Sequence, residues 1–402
     1  MKSEQQLIMT SIPQSAYRLL IVSPIPVCKD NNQHYSLDLW VEDLRANLEH
    51  VQSIAILCPR ADLKSESTRM LPTGIQIVFQ DEVLEQSLLE ELIKKYDVVS
   101  IGAGGPLWRM KTAIDVALVA KKLKRCLVTS VTSNRSRTTK MNAQGKNWLK
   151  KIKAHLTAWS ISRTTSKLIG LSDGVLVIGE GVRKSMKIVH PNLYIETASW
   201  IKTSDVIVEP VYTDRLSDFS NCEQPKMIIA TRLEPMKGVH IGIMAIAQLV
   251  KEHSIMPTLT ILGQGPDLNN LKALVEKNHL ENAVAFEGVI SYPDAFFEKI
   301  CQYNLMLLTN LNEEQPRLIF DAISQGLIPI CPDSTSYLNL GLPKEVFYKT
   351  GDIQSLKLKL LELRDGQLMA KLLTELRPLA FKYTISSMHE KRVSWIKSLI
   401  MK

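Results

Sequence analysis

Short apolar runs alternate along the chain with longer amphipathic segments, and this alternation predicts its secondary structure. The first half contains six runs that would be apolar on both faces of a strand, at 18–23, 53–58, 75–80, 97–101, 126–130 and 174–178. Helical periodicity occupies segments between them, among them Ser36–His50, Glu82–Tyr96 and Leu107–Leu123. Strands that are apolar on both faces and alternate with helices indicate a parallel sheet covered on both sides.

The second half of the chain repeats this plan. Its strands are predicted at 226–231, 259–262, 284–286, 304–309 and 327–331, and its helices near 238–252, 267–278, 293–302, 316–325 and 353–364. A chain of 402 residues is long enough for two such domains. We expect domains at 1–202 and 203–382, with the polar segment 203–224 as a linker, followed by a terminal helix at 383–402.

The composition of the chain indicates which class of protein it belongs to. Hydrophobic residues make up 45% and charged residues 22% of the chain, as in a soluble globular protein. The first residues lack the pattern of a signal peptide, and no apolar run approaches the ~20 residues of a membrane helix. The six cysteines are dispersed, which predicts buried free thiols. We therefore expect a cytoplasmic protein.

Ligands of open α/β sheets bind at the carboxyl ends of the strands, and three segments with useful chemistry follow predicted strands. The first is A-T-R-L-E-P-M-K-G, residues 230–238. A guanidinium at Arg232, an ammonium at Lys237 and a following helix N-terminus suit an anionic ligand such as a diphosphate. The alternative is a pair of solvated surface cations.

The second segment is L-G-Q-G-P-D-L-N-N-L, residues 262–271. Gly263 and Gly265 allow positive φ and close backbone approach, and Asp267 is suited to cap the next helix. An ordinary strand–turn–helix connection is the alternative.

The third segment, N-E-E-Q-P-R-L-I-F-D-A-I-S-Q-G-L-I-P-I, covers residues 312–330. It places Glu313 in a loop and Asp321 within the following helix, so the two carboxylates can address two parts of one long ligand. Carboxylates accept hydrogen bonds from sugar hydroxyls. A solvated acidic loop beside a surface helix is the alternative.

In this order and spacing the segments resemble the retaining GT-B glycosyltransferases typified by bacterial polysaccharide and lipid mannosyltransferases. That family reads G-R-L-x-x-x-K-G, G-x-G-P, V-x-F-x-G and E-G-x-x-x-x-x-x-E-A-x-x-x-G. The chain has T-R-L-E-P-M-K-G, G-Q-G-P, V-A-F-E-G and E-E-Q-P-R-L-I-F-D-A-I-S-Q-G within residues 226–331. The resemblance implies the GT-B fold: two Rossmann-like domains with parallel sheets facing an interdomain cleft, and a C-terminal helix that crosses back to the first domain. It also implies that Gly263 and Gly265 form the turn beside the nucleotide pocket.

The resemblance further implies roles for four side chains. Arg232 and Lys237 would bind the donor diphosphate and stabilise it as a leaving group, Glu313 would contact the transferred sugar, and Asp321 would hold the nucleotide ribose. The implied reaction is a retaining, metal-independent transfer of a hexose from a UDP- or GDP-sugar to a glycan or lipid-linked glycan. Neither a metal nor a cofactor is expected.

The chain departs from the family pattern at several positions. Glu314 stands where the family has Gly, Asp321 replaces Glu, and Thr231 replaces Gly. Segment 21–36 has no glycine where the family has a Gly-Gly loop, and 127–134 lacks a histidine that the family often carries. These departures keep two alternatives open: a nucleotide-sugar epimerase on the same fold, and a catalytically silent protein that binds sugar nucleotides.

The positive charge of the chain is concentrated in one region. Residues 116–172 hold 13 Lys or Arg and no Asp or Glu. Within this region, segment 146–161 predicts a basic amphipathic helix whose apolar face carries Trp148, Leu149, Ile152, Leu156 and Trp159. Such a helix is typical of attachment to an anionic membrane surface, here the inner face. The alternative is that this face packs on the core. Nucleic-acid binding is not expected, because no recognised binding module accompanies the charge.

Overall fold

The computed structural model describes residues 17–61, 68–83, 85–145, 147–222, 224–253, 255–315 and 317–401. The strands of the first half are β1 (Arg18–Val22), β2 (Val27–Asp30), β3 (Gln33–Leu37), β4 (Ser53–Cys58), β5 (Arg60–Ala61), β6 (Thr68–Met70), β7 (Ile75–Phe79), β8 (Val98–Gly102), β9 (Cys126–Val131), β10 (Gly174–Ile178) and β11 (Leu193–Glu196). The helices of the first half are α1 (Asp38–Leu48), α2 (Gln86–Lys94), α3 (Leu107–Lys122), α4 (Arg135–Met141), α5 (Trp148–Leu171) and α6 (Glu180–Met186).

Seven of these strands form one parallel sheet in the order β11-β10-β9-β8-β1-β4-β7. The central strands are buried on both faces; five of the six residues of β4 are buried, for example. Helices cover the sheet because neither of its apolar faces can be left in water. The six apolar runs predicted β1, β4, β7, β8, β9 and β10, whereas the edge strand β11 was not predicted.

A small second sheet, in the order β5-β2-β3-β6, follows the first strand of the large one. Strands β2 and β3 form an antiparallel hairpin whose turn holds Asn31 and Asn32 at φ 46° and 62°. Asparagine tolerates this left-handed conformation better than most residues. The glycine-free segment 21–36 is therefore largely a hairpin in this protein.

The second half forms its own sheet. Its strands are β12 (Met227–Ala230), β13 (Leu259–Leu262), β14 (Val284–Gly288), β15 (Leu305–Leu307), β16 (Ile328–Pro332) and β17 (Phe347–Tyr348), in the parallel order β14-β13-β12-β15-β16-β17. The helices are α7 (Glu209–Ser220), α8 (Val239–His253), α9 (Leu268–Lys277), α10 (Asp294–Ile300), α11 (Leu318–Ser324), α12 (Thr335–Leu338), α13 (Ile353–Glu362), α14 (Gly366–Lys382) and α15 (Ile385–Ile400).

The segment 203–224 is not the simple polar linker that its sequence predicted. Helix α7 occupies much of it, and Tyr212 and Phe219 on this helix are buried. The guanidinium carbon of Arg377, on α14, lies 3.7 Å from the centroid of the Tyr212 ring. The helix escaped prediction because few of its residues are apolar. The division of the chain at residues 202 and 382 stays a prediction.

The terminal helix α15 returns to the first sheet, as the resemblance implied. Arg392 donates to both carboxylate oxygens of Glu196 at the end of β11, at 2.8 and 2.6 Å. Its Nη1 also lies 3.3 Å from Asp43 on α1. The Trp395 ring stacks on Tyr194 with centroids 5.2 Å apart. Buried ionic and aromatic contacts thus tie the end of the chain to its first half.

Candidate active site

The loops after β12 and β13 pack directly on each other. A Cβ atom on Gly263 would collide with the carbonyl oxygen of Thr231, and one on Gly265 would collide with that of Leu233. The Leu233 amide also donates to the carbonyl of Gln264 at 2.9 Å. The two glycines are therefore required because the cation-bearing loop passes within backbone contact. Their proximity to Arg232 agrees with a shared site.

Asp267 stands at the first residue before α9 but makes no side-chain capping bond. Its Oδ1 instead accepts a hydrogen bond from Asn270 at 2.8 Å. The capping role expected from the sequence is therefore wrong.

The loop after β15 joins the same assembly. The hydroxyl of Thr309 donates to the carbonyl of Lys237 at 2.7 Å, and the Leu311 amide donates to that of Met236 at 2.9 Å. Gly238 has φ 64°, and a Cβ there would collide with the carbonyl of Thr309. Three loops at the carboxyl edge of the second sheet thus form one hydrogen-bonded unit.

Arg232 and Lys237 lie on this edge in different environments. The Arg232 side chain is 74% exposed, and its Nη1 lies 3.3 Å from Glu234. The Lys237 side chain is 11% exposed, and its Nζ donates to Glu314 Oε2 at 2.9 Å. Burial alone would raise the pKa of Glu314, but the charge and hydrogen bond of Lys237, together with Asn312 and Arg232, hold it below its usual value. Both cations therefore face Glu314.

Glu313 lies where the two halves of the molecule meet. Its Oε2 accepts a hydrogen bond from Ser336 at 3.2 Å. A Cβ atom on Gly181, in helix α6 of the first half, would lie 2.7 Å from the same oxygen. Helix α6 can therefore lie this close to the Glu313 carboxylate only because residue 181 is a glycine.

A cavity of about 220 Å³ opens beside Ser336, the residue that hydrogen-bonds to Glu313; Glu313 itself does not line it. The first half contributes Gly179, Glu180, Ile195 and Thr197 to its lining, and the second half contributes Gln315, Thr335, Ser336, Asn339 and Leu340. Gln315 is buried, and neither atom of its amide bonds to any described residue. A buried amide without partners favours a polar occupant of this space.

Asp321 is fully buried in α11. Its Oδ1 accepts a hydrogen bond from the Tyr292 hydroxyl at 3.3 Å, and its Oδ2 bonds to no residue that the structure describes. Burial raises the pKa of Asp321 to about 6, although Arg317 and Tyr292 oppose the shift. The guanidinium of Arg317 lies 4.7 Å from the Tyr292 ring and 3.8 Å from the Trp200 ring. The Asp321 carboxylate is therefore closed off from solvent, with Tyr292 bonded to one of its oxygens.

Residues 214–377 match the model of the family described as glycosyl transferases group 1. This match covers most of the second half of the chain and includes all three loop motifs. The chain is a glycosyltransferase, as its loop motifs predicted. No curated protein matches the chain significantly.

Several solved structures share the fold of the transferase. The complex of HepE from Anabaena with UDP-glucose has a TM-score of 0.65 at 13% identity, covering 95% of this chain and 100% of that one. Sucrose-phosphate synthase from Thermosynechococcus elongatus has a TM-score of 0.64 at 11% identity, covering 96% and 99%. WaaG, a glycosyltransferase involved in lipopolysaccharide biosynthesis, has a TM-score of 0.61 at 13% identity, covering 94% and 99%. The expected GT-B architecture is thereby confirmed.

Three features of the transferase's site escaped sequence reasoning. The Lys237–Glu314 ion pair joins residues 77 positions apart, so no local pattern reveals it. Gly181 was passed over because a single helical glycine is a weak signal. The one signal in the sequence for Gln315 is its position between Glu313 and Asp321, the two acids of the third motif.

The basic helix of the transferase carries its apolar stripe into solvent. Trp148, Leu149, Ile152, Leu156 and Trp159 are 50–68% exposed. Later residues of α5, such as Ile161 and Leu168, are buried instead. The alternative in which the stripe packs on the core is therefore wrong; Lys146, at the start of the predicted segment, lies outside the described residues. Among the described helices, none is long and apolar enough to cross a membrane.

Proposed function

We propose that this transferase moves a hexose from a UDP- or GDP-sugar to a hydroxyl of a glycan or lipid-linked glycan, with retention and without a metal. The observation that carries the proposal is the union of the Arg232, Lys237 and Glu313 loops into one hydrogen-bonded unit at the carboxyl edge of the sheet. Parallel sheets of this kind bind their ligands there.

The charges of this edge suit the departure of a diphosphate. Cleavage of the bond between sugar and phosphate develops negative charge on the phosphate oxygens and positive charge on the sugar. Fixed cations at Arg232 and Lys237 stabilise the departing diphosphate more than the bound donor, which lowers the barrier. Glu313 accepts hydrogen bonds from hydroxyls of the transferred sugar and faces the other half of the molecule, from which the acceptor approaches.

The size of the cavity beside Ser336 implies a movement during the cycle. At about 220 Å³ it is smaller than the roughly 300–1,000 Å³ of pockets that enclose a whole drug-sized ligand. It suits one sugar ring better than a complete sugar nucleotide. Asp321 is fully buried, so a ribose can reach its carboxylate only after the residues around it move. We infer that the two halves separate to admit the donor and close for the reaction.

Ligands in the names of the similar structures agree with this donor class. HepE has been crystallised with UDP and with UDP-glucose, and WaaG acts in lipopolysaccharide biosynthesis. A thermal-shift screen with UDP-, GDP-, ADP- and dTDP-sugars tests the proposal. A donor at a hundredfold excess over its Kd should stabilise the protein by about 3 kcal/mol. If all four classes leave the unfolding temperature unchanged, the donor assignment fails.

We also propose that the transferase works on an anionic membrane surface, at the inner face, through the exposed stripe of α5. Lysines 150, 151 and 153 flank the stripe on the same helix, and 116–172 lacks acidic residues. Tryptophans at a lipid boundary combined with lysines for anionic headgroups are typical of peripheral helices. A lipid-linked acceptor would then be presented beside the cleft.

A further inference from the structure

Lys237, a proposed ligand of the donor diphosphate, already has an anionic partner within the protein. Its Nζ lies 2.9 Å from Oε2 of Glu314, with the two side chains only 11% and 25% exposed. The backbone at Lys237 is held by the loop assembly, since the Lys237 carbonyl accepts from Thr309 and the neighbouring Met236 carbonyl accepts from Leu311. The ion pair therefore lies in a fixed, largely desolvated place, where its attraction is stronger than at the surface.

Glu314 is charged at neutral pH, because Lys237 keeps its pKa below the usual range despite burial. Arg232 pairs with Glu234, but the Arg232 side chain is 74% exposed, so water screens this cation more than it screens Lys237. Of the two cations, Lys237 is the more buried and has the shorter ion pair. A glycine at position 314, as in the family pattern, would leave Lys237 free for phosphate oxygens.

We propose that Glu314 is an internal counter-ion that occupies the phosphate-binding end of Lys237 and limits the affinity of this transferase for its donor. The inference rests on the proposed function, because it takes the diphosphate to be the ligand of Lys237. A donor binds by exchanging one of its phosphate oxygens for the Glu314 carboxylate, and the carboxylate must then turn away. Without a donor, Lys237 stays paired with Glu314. Breaking this ion pair costs free energy, so the donor binds more weakly than it would to an unpaired lysine.

Two variants separate the charge of Glu314 from its bulk. Glu314→Gln keeps the size and removes the charge, and Glu314→Gly restores the residue of the family pattern. Glu362→Gln is the matched control, because Glu362 pairs at 2.6 Å with Lys359, a lysine of similar burial on the distant helix α13. Circular dichroism and melting temperature confirm folding of each variant, and the glutamine variant carries the test if the glycine variant unfolds.

Isothermal titration with UDP, GDP, ADP and dTDP, and with the matching monophosphates, supplies the measurement. We expect Glu314→Gln and Glu314→Gly to bind the preferred nucleoside diphosphate at least tenfold more tightly than the parent protein. The gain should be smaller for the monophosphate, because less charge competes with the carboxylate. Glu362→Gln should stay within twofold of the parent.

The outcomes distinguish this inference from the function on which it rests. If the parent binds a nucleotide and Glu314→Gln binds it equally well or more weakly, the counter-ion role is overturned. The donor assignment still stands in that case. An equal gain for mono- and diphosphate would likewise overturn it, because the competition is for charge. If neither the parent nor the variants bind any of the nucleotides, the proposed function and this inference fall together.

Discussion

Gly181 of helix α6 lies against Glu313 of the opposite half, so that a single added Cβ atom would stand 2.7 Å from the Glu313 carboxylate. The same atom would collide with the hydroxyl of Ser336, which hydrogen-bonds to Glu313. Contact between the two halves at the proposed reaction centre therefore depends on the absence of a side chain at residue 181.

Gly181→Ala should hold the two halves apart at the reaction centre. We expect turnover to fall at least tenfold while the melting temperature changes little, because helix α6 itself accepts alanine and misplacement of reacting groups is costly. Steady-state kinetics and a thermal melt measure the two effects. Gly170→Ala is the control, since its Cβ would meet nothing within 4 Å. Equal turnover in the two variants would contradict the contact.

Asp321 should make the stability of the protein depend on pH. Its pKa is raised by burial to about 6, so the folded protein binds an extra proton between about pH 4 and 6. Stability therefore falls as pH rises through this window, and the charged carboxylate destabilises the fold above it. Asp321→Asn should be more stable than the parent by about 1–3 kcal/mol at pH 7.5, with a smaller difference at pH 4.

Urea unfolding at both pH values checks the role of Asp321, with the exposed Asp218→Asn as control. A gain of the same size at pH 4 and pH 7.5 would show that the charge is not responsible. If the Asp321 carboxylate also holds the ribose, the stabilised variant should bind the donor more weakly.

Arg392 should be essential for attachment of the terminal helix. It neutralises the buried Glu196 and also contacts Asp43. Arg392→Met leaves buried carboxylates without their cation, which typically costs about 3–5 kcal/mol. The free energy of unfolding from urea titration measures the effect. Arg18→Met breaks a comparably forked but more exposed pair with Asp97 and should cost much less. A similar loss of stability in both variants would contradict the role of Arg392.

The stripe on α5 should bind anionic vesicles. Replacing Trp148 and Trp159 together by Ser should abolish co-sedimentation with vesicles that contain phosphatidylserine or phosphatidylglycerol, because the apolar anchors are lost. Leu358→Ser, at an exposed apolar residue of α13, is the control and should leave binding intact. At low salt, the parent protein should sediment more with anionic than with neutral vesicles. Equal sedimentation with both kinds of vesicle would contradict the membrane proposal.

The buried parallel strands were the most predictable part of the fold. Ser53–Cys58 and Leu259–Leu262 match their predicted bounds because a run that is apolar on both faces has few alternatives. The hairpin of β2 and β3 was missed, since its strands are four and five residues long and largely polar. Helix α7 was missed for a related reason, because it buries little of its surface.

The candidate site was predictable only as far as local motifs extend. The motifs placed Arg232 and Lys237 on a strand-end loop beside two glycines, and the structure has them there. They could not show that Lys237 meets Glu314 or that Glu313 meets Gly181, because these contacts join segments distant in sequence. A helical wheel likewise identifies the apolar face of α5 but not whether anything covers it.

The most direct test of the account measures transfer of a labelled hexose from UDP-, GDP-, ADP- and dTDP-sugars into membrane glycolipid and polysaccharide, in the presence of EDTA. We predict that the parent protein transfers from at least one donor, and that Arg232→Ala, Lys237→Ala and Glu313→Ala each lower the rate by about 100-fold or more. Parental rates in these three variants would contradict the claim that their side chains converge on one sugar diphosphate.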